Sequence, residues 1–424
     1  MPLFQRDYLR LPNEILLMIF SSFDDEYPSR NRTRTLHTLL FVSRRVHAIV
    51  KPLLYACIVL YPEDCCLDSH LGYRLCLDSL VSGLTADRAS ITAFVQDLDV
   101  TIPEYVDDGI ERWPGETLDV LLPHLPNLRK LTLYYLGRKD EWPVSGLAWL
   151  PNPAQLTLLQ LHIVHDYPAF LAFLRVCPSL EYLAVVMVQD KNGHVPDTIP
   201  PDVVPRLRSV CCGSDFLYFC ILAGRHIENI DMVACDIISA ISDGADMDAL
   251  AAPMAVAQSV VMNGEMDLED VLRADIVPPY SHVKFLAIQI SDEIDVDDVH
   301  AMCERWPKEI CYLFLQCEGF LPDHDTIAEA FFSAMPSLLI LDTLINVCNN
   351  GVVSTALSRC SRYFRGSPME KDTEIKFRFP SYFDFQEPFG MDEVRGLTSV
   401  ARRQRLTESS LIASHKSHLF TIHS

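Results

Sequence analysis

The sequence repeats one short pattern at a near-constant distance, and this repeat limits the possible folds more than any other feature. The pattern is apolar-x-x-apolar-x-apolar, as in residues 128–133 (LRKLTL) and 156–161 (LTLLQL). Nine copies begin at Val95, Leu128, Leu156, Leu180, Leu207, Ile227, Val283, Ile310 and Leu338, and a weaker copy begins at Ala257. Because hydrophobic residues make up 49% of the chain, a single copy of the pattern is expected by chance and does not indicate a repeat. Nine or ten copies at a regular spacing predict a repeat protein.

The residues between the copies predict what each repeat contains. Pro126, Pro178, Pro205 and Pro336 each stand two residues before the first apolar residue of a copy. Proline ends a helix and favours an extended conformation in the residue before it. Residues 170–174 and 327–335 have apolar residues at helical spacing just upstream of such prolines. We therefore predict units of one short strand, a loop, a helix and a turn, each about 24–28 residues long.

This arrangement resembles the leucine-rich repeat family, whose signature is L-x-x-L-x-L-x-x-N/C, although only Cys235 fits the ninth position. The resemblance implies an α/β solenoid with parallel strands on its concave side, helices on its convex side and a continuous core. A doubly wound α/β domain also alternates strands and helices. It is expected to carry a glycine-rich phosphate loop after an early strand. The chain has only 16 glycines and no G-x-G-x-x-G motif.

Residues 9–60 have a different pattern, which predicts a small bundle of three helices. Pro12 stands near the first position of the first helix, where its missing N–H costs nothing. Ser43 is placed to cap the third helix. The segment has more apolar side chains than so small a bundle can bury, and such an excess usually marks a surface for a partner.

Two segments of this bundle resemble the F-box, a family that docks to cullin-based ubiquitin ligases through a Skp-family adaptor. They are 11–20 (LPNEILLMIF) and 39–55 (LLFVSRRVHAIVKPLLY). The chain departs from the family in a longer spacer and in Val46, where a tryptophan is common. The resemblance assigns these residues to the adaptor interface: Leu11, Pro12, Ile15, Ile19 and Phe20, with Val42, Ile49, Pro52 and Leu53. Without the resemblance, the bundle would be a cap on the first repeat.

Strand geometry predicts a second surface, because successive side chains of a strand point to opposite faces. We call the apolar residues of each copy the anchors, and the side chains between them the alternate face. If the anchors face the core, the alternate face is free to bind a target protein; the alternative is that helices of other units cover some of these positions. We predict target contacts at Tyr134, His162, Tyr182, Phe285, Gln289, Tyr312 and Phe314.

Motifs for catalysis or cofactor binding are absent from the sequence. It has no G-x-S-x-G, P-loop, H-E-x-x-H or zinc-spaced Cys/His set, so we predict no catalytic residue, metal or cofactor. These absences disfavour a hydrolase or transferase. The net charge of −22 argues against nucleic-acid binding. There is no C-x-x-C, secretory signal or apolar run of membrane-spanning length, so we expect free thiols, no membrane association and a cytoplasmic or nuclear location.

Together these patterns predict an α/β, leucine-rich-repeat-like solenoid preceded by a three-helix F-box module. The predicted segments are the module at 9–60, a connection at 61–90, the solenoid at 91–360 and a C-terminal cap or mobile tail at 361–424. The expected function is substrate recognition in an SCF-type ubiquitin ligase, with a Skp-family adaptor, a cullin scaffold and an unknown target as partners. The alternative is an interaction scaffold of the same fold that acts outside ubiquitin ligases.

Overall fold

The structure is a computed structural model, and it divides the chain into two compact units, Met1–Arg225 and His226–Ser424. The boundary falls inside the segment 91–360 that we predict as one solenoid. The structure describes residues 11–21, 30–60, 79, 81–83, 91–102, 114–135, 147, 150–164, 167–188, 199–200, 202–212, 225–233, 255–273, 282–317, 319–320, 324–345 and 359–365.

The first unit begins with three helices and continues with parallel strands. The helices are α1 (Asn13–Ser21), α2 (Arg30–Leu39) and α3 (Arg44–Ala56). They are followed by β1 (Cys57–Leu60), β2 (Asp97–Ile102), α4 (Pro114–Leu121), β3 (Lys130–Tyr135), β4 (Leu158–Val164), α5 (Tyr167–Arg175), β5 (Tyr182–Val188) and β6 (Ser209–Cys212). Short 3-10 turns at Thr92–Phe94, Leu122–His124 and Pro153–Gln155 precede β2, β3 and β4.

The second unit alternates strands and helices. Its elements are β7 (Asn229–Val233), β8 (Ser259–Met266), α6 (Leu268–Arg273), β9 (Phe285–Ile290), β10 (Glu293–Ile294), α7 (Val296–Arg305), β11 (Tyr312–Cys317), β12 (Gly319–Phe320), α8 (His324–Ala334), β13 (Ile340–Ile345) and β14 (Arg359–Phe364). All ten copies of the repeated pattern therefore contribute a strand, including the weaker copy at Ala257, which leads into β8.

Within each unit the long strands pair in chain order, and the anchors lie side by side. In the first unit Leu131 of β3 is opposite Leu98 of β2 and Leu159 of β4, and both ladders are parallel. In the second unit Leu313 of β11 is likewise opposite Leu286 and Leu341. A doubly wound sheet would reverse its strand order at a switch point. The order in each unit is that of a leucine-rich-repeat-like α/β stack.

A repeated backbone hydrogen bond shows that the units share one repeat geometry. The carbonyl oxygen of Gln96 accepts bonds from the N–H groups of Arg129 and Lys130, at 2.7 and 2.9 Å. In the second unit the oxygen of Lys284 accepts from Cys311 and Tyr312, at 2.8 and 3.0 Å. The same arrangement, in which one carbonyl oxygen of a repeat accepts from two successive N–H groups of the next, occurs at the start of β4, β5, β6, β8, β9 and β13. Each repeat thereby sets the start of the next strand, although the loops between them differ in length.

The anchors form the core, as the pattern predicts. Leu98, Leu131, Leu159 and Leu183 are fully buried in the first unit, and Leu286, Leu313 and Leu341 are fully buried in the second. Thr343, the polar residue in the last copy, is buried as well. On the helical side of the second unit, Trp306 stacks on Phe331 of α8 with ring centroids 6.4 Å apart.

The two ends of the described repeats differ from the prediction. Residues 57–60, which we assigned to the helical module, form β1 and pair in parallel with β2. At the other end β14 pairs antiparallel with β13 and ends the parallel series. Most of the predicted connection 61–90, and all of the tail beyond residue 365, lie outside the described residues.

Candidate partner-docking surfaces

The three N-terminal helices pack around a small apolar core of their own. Leu16 and Phe20 of α1, Leu36 of α2, and Val46 and Val50 of α3 are buried together. Leu16 and Phe20 are four residues apart, so they lie on the same side of α1. Val46, which stands where the F-box family often has tryptophan, is part of this core.

Around this core the module exposes many large apolar side chains. We call them the N-terminal apolar surface; its members are Ile15, Leu17, Met18, Ile19, Phe41 and Val42. Met18 is 67% exposed and Phe41 is 78% exposed. Helix α1 is apolar nearly all round but buries only two of its nine residues. A helix that is apolar on nearly every side is usually buried, whereas α1 leaves most of its apolar side chains exposed.

Arg45 of α3 holds the start of α1 in place. Its Nε donates a hydrogen bond to Oδ1 of Asn13 at 2.7 Å, and a second guanidinium nitrogen donates to the carbonyl oxygen of Leu11. These bonds join the two segments that carry the F-box resemblance. Sequence analysis did not predict this role of Arg45, because the local sequence around an arginine does not indicate which distant acceptors it will bond.

The predicted adaptor residues fall into three groups by exposure. Pro12, Ile15, Ile19 and Val42 are exposed, whereas Leu11, Ile49, Pro52 and Leu53 are half-buried. Phe20 is buried in the module core and supports the surface from below. Leu17, Met18 and Phe41 are as exposed as the predicted residues, and sequence analysis did not assign them. Their contribution to binding, like that of the predicted nine, stays a prediction.

Helix α3 runs directly into the first strand of the unit. It ends at Ala56, β1 begins at Cys57, and the N–H of Gln96 donates to the carbonyl oxygen of Ala56 at 2.8 Å. Its N-terminus is capped by Ser43, whose Oγ accepts a bond from the N–H of Val46 at 3.1 Å. The module is therefore joined to the repeats of its own unit by a continuous helix and strand.

The alternate face of the first unit is largely polar. Asp99 and Thr101 of β2, Thr132 of β3 and Gln160 of β4 are all buried on it. Nε2 of Gln160 has no hydrogen-bond partner among the residues that the structure describes. Asp99, Thr132 and Gln160 lie in register on three neighbouring strands. A buried amide nitrogen without a partner costs roughly 1–3 kcal/mol.

The alternate face of the second unit carries a row of large apolar side chains, two of which are aromatic. Phe285, Tyr312 and Ile340 are the first residues of β9, β11 and β13, and they lie side by side in register. We call these three residues the aromatic row. The rings of Phe285 and Tyr312 meet edge to face with centroids 4.9 Å apart. The Tyr312 hydroxyl donates a hydrogen bond of 2.5 Å to Oδ2 of Asp342, which is itself buried.

The predicted target contacts are not equally accessible. Phe285 and Tyr312 are only 4% and 5% exposed, whereas Tyr182, Gln289 and Phe314 are half-buried. Tyr134 and His162 lie in β3 and β4, but their side chains are outside the described part of the chain. The prediction that the alternate face is free therefore does not hold at Phe285 and Tyr312. Target binding itself stays a prediction.

Perturbed pKa values mark structural positions in the described residues. Burial raises the pKa of the Cys177 and Cys303 thiols to about 12, so both are protonated at neutral pH and poor nucleophiles. The N–H of Asp298 lowers the pKa of Asp295, and Asp295 caps α7 in a reciprocal arrangement with Asp298. The acidic run 292–298 thus serves partly to start a helix.

Comparisons with known proteins give little further information. No protein-family model matches the sequence, and no curated protein matches it. Among solved structures, it is similar to the leucine-rich repeat-containing protein LegL7 from Legionella pneumophila, with a TM-score of 0.34 and 13% identity over 63% of this chain and 79% of that chain. Values this low do not establish a relationship, so the fold assignment rests on strand order and the repeated hydrogen bonds.

No helix among the described residues has both the length and the apolar character needed to span a bilayer.

Proposed function

We propose that this chain is a protein-interaction scaffold whose N-terminal helices dock to a Skp-family adaptor, and that it acts as the substrate-recognition subunit of an SCF-type ubiquitin ligase. The observation that carries the proposal is α1, an apolar helix that buries only two of nine residues. The F-box resemblance of residues 11–20 and 39–55 identifies the class of partner. The repeats would hold the target.

The role of such a subunit is to bring two proteins together. Binding the adaptor with one surface and the target with another raises the effective concentration of target lysines near the charged conjugating enzyme. Positioning alone lowers the barrier to transfer, so the chain needs no catalytic residue. This mechanism agrees with the absence of catalytic motifs from the sequence.

The N-terminal apolar surface has the features of an interface centre. Large apolar side chains surrounded by polar ones supply most of the energy in many interfaces, and few of them dominate. Ile15 and Ile19 are four residues apart on α1 and both 40% exposed, so they form one stripe. Arg45 fixes the start of that helix, which limits the ordering cost on binding.

The test is retention of a purified Skp-family adaptor by the full-length chain. We expect the wild type to retain it and an Ile15→Asp/Ile19→Asp variant to lose at least about tenfold in affinity, because two charges would enter an apolar interface. The matched control is Val176→Asp, which adds a charge at an apolar residue that is 49% exposed outside the module. Thermal melting checks that each variant is folded.

Three outcomes separate the possibilities. Loss of the adaptor in the double variant but not in Val176→Asp supports the proposal. Equal retention by the double variant places the docking surface elsewhere. If the wild type itself retains no adaptor, the ligase function is wrong, and the scaffold that acts outside ubiquitin ligases becomes the better explanation.

A further inference from the structure

The turn between α2 and α3 carries the most exposed large apolar side chain among the described residues. Phe41 is 78% exposed, and the next residue, Val42, is 46% exposed. Both belong to the N-terminal apolar surface, but the F-box resemblance assigns only Val42 to the adaptor interface. A ring that is this exposed gains little free energy from folding, whereas buried aromatic rings supply much of the energy at the centre of an interface.

Hydrogen bonds and a ring contact hold this turn in one conformation. The N–H of Phe41 donates to the carbonyl oxygen of Thr38 at 3.3 Å, and the N–H of Val42 donates to that of Leu39 at 3.1 Å. The rings of Phe41 and His37 meet edge to face with centroids 5.3 Å apart. A side chain that is already held in place loses little conformational entropy when a partner binds it.

The turn lies beside the start of α1. Ser43, two residues after Phe41, caps α3. Arg45, the second residue of that helix, bonds Asn13 and the carbonyl oxygen of Leu11. The turn is therefore at the end of the N-terminal apolar surface where α1 begins, and a partner that encloses this end of α1 also meets Phe41.

The charges near Phe41 are of one sign. Arg34 stands seven residues before Phe41, so it lies on the side of α2 that leads to the ring, and Arg44 stands three residues after it. Both arginines are exposed. Within residues 11–21 and 30–60 of the described chain, Glu14 is the one acidic residue, and the basic residues are Arg30, Arg32, Arg34, Arg44, Arg45 and Lys51.

These charges indicate the chemistry of the partner. The chain as a whole has a net charge of −22, so the helical module differs in sign from the rest of the molecule. Opposite charges around an apolar centre steer the two proteins together and exclude partners of like charge. An arginine pairs with a carboxylate through two parallel hydrogen bonds, so an acidic protein surface complements Arg34 and Arg44.

We propose that the partner of the N-terminal apolar surface receives the Phe41 ring in an apolar pocket, and that carboxylates on the rim of this pocket pair with Arg34 and Arg44. The inference rests on the proposed function, in which this partner is a Skp-family adaptor. It goes further by naming the central contact and the charge of the adaptor surface. The F-box resemblance assigned none of these three residues.

A membrane surface fits this region less well than a protein does. The exposed apolar residues of α1 lie on several sides of the helix; they are Ile15, Leu17, Met18 and Ile19. An amphipathic helix at a bilayer buries one side only, whereas a groove in a protein can enclose several sides. The exposed sides of α1 thus favour a protein partner over a lipid surface.

The test is the affinity of a purified Skp-family adaptor for the full-length chain at two salt concentrations. At about 50 mM NaCl we expect Arg34→Glu/Arg44→Glu to weaken binding at least about tenfold, and at about 500 mM, where salt screens the charges, less than about threefold. The matched control is Arg175→Glu/Arg206→Glu, which makes the same change of net charge at two exposed arginines outside the module. It is expected to bind like the wild type.

A second variant tests the ring separately from the charges. Phe41→Ala should weaken binding at least about tenfold at both salt concentrations, because salt does not screen the apolar contact that the ring makes. Val120→Ala truncates a side chain of α4 that is 53% exposed, and we expect it to bind like the wild type. All the substituted side chains are exposed, so the variants should keep the wild-type melting temperature.

The outcomes distinguish this inference from adaptor docking itself. Weaker binding by both variants, with salt dependence only in the arginine variant, supports the inference. Wild-type affinity in either variant overturns it and leaves adaptor docking intact. If the wild type binds no adaptor, the proposed function and this inference both fail. Binding of the wild type to vesicles with about 30 mol% phosphatidylserine, in place of the adaptor, would assign the surface to a membrane and also overturn it.

Discussion

The N-terminal apolar surface and the aromatic row consist of the same kind of side chain, but they differ in exposure. Met18 is 67% exposed on α1, whereas Phe285 is 4% exposed on β9. Composition does not separate these two regions. Their exposure does: the helical module leaves its large apolar side chains exposed, whereas the second unit buries those of the row.

The difference follows from the geometry of the elements. A helix presents side chains all round its axis, so α1 cannot bury Leu16 and Met18 against the same core. A strand presents its side chains to two faces only, and three neighbouring strands place Phe285, Tyr312 and Ile340 in one patch. Such a patch lies on a single face of the sheet, whereas the exposed apolar residues of α1 lie on several sides of the helix.

Truncation of one residue from each region is expected to give the largest contrast. Phe285→Ala should lower the free energy of unfolding by about 3–5 kcal/mol, because it leaves a cavity beside the Tyr312 ring. Met18→Ala should change it by less than about 0.5 kcal/mol, because the side chain is already in water. Urea unfolding of both variants measures this. Similar losses in the two variants would mean that the regions do not differ in burial.

The hydrogen bond within the aromatic region is expected to have an intermediate effect. Tyr312→Phe removes the hydroxyl that donates to Asp342 and should cost about 1–3 kcal/mol, since a buried carboxylate loses a donor. A double-mutant cycle with Asp342→Ala isolates the pair, and we expect a coupling energy of at least about 1 kcal/mol. A coupling near zero would show that the two groups act independently.

The smallest effect is expected at the cap of α3. Ser43→Ala should destabilise the helical module by about 1 kcal/mol, whereas Ser43→Asn keeps a capping oxygen and should cost little. Hydrogen exchange shows how far the effect spreads. Because α3 continues into β1, we expect faster exchange in β1 as well as in the helix. Unchanged exchange in β1 would indicate that module and strand open separately.

Sequence analysis predicted the main strands well, because their signal is periodic and local. Each copy of the apolar pattern forms one strand. It missed β1, β10, β12 and β14 for physical reasons. β1 (CIVL) is four residues long and follows a helix directly, β10 and β12 have two residues each, and β14 (RCSRYF) carries too few apolar residues to show a pattern. Which strand such a short segment pairs with depends on tertiary contacts, and the local sequence does not show these.

The candidate docking surfaces were predicted in part. Residues 11–20 and 39–55 indicated three helices with excess apolar surface, and the exposed Ile15 and Ile19 agree with that. Phe20 lies with Leu16 in the core of the module, and its contribution to binding stays a prediction. The role of Arg45 was not predictable, because its acceptors at Leu11 and Asn13 are more than thirty residues away in sequence.

By itself, the sequence determined the repeat period and which strand side chains face the core. These properties depend on alternation and on helix periodicity, which act over a few residues. Only the tertiary structure decided which apolar side chains are covered. Met18 and Phe285 are indistinguishable as hydrophobic residues, and their exposure depends on which distant segments pack against them.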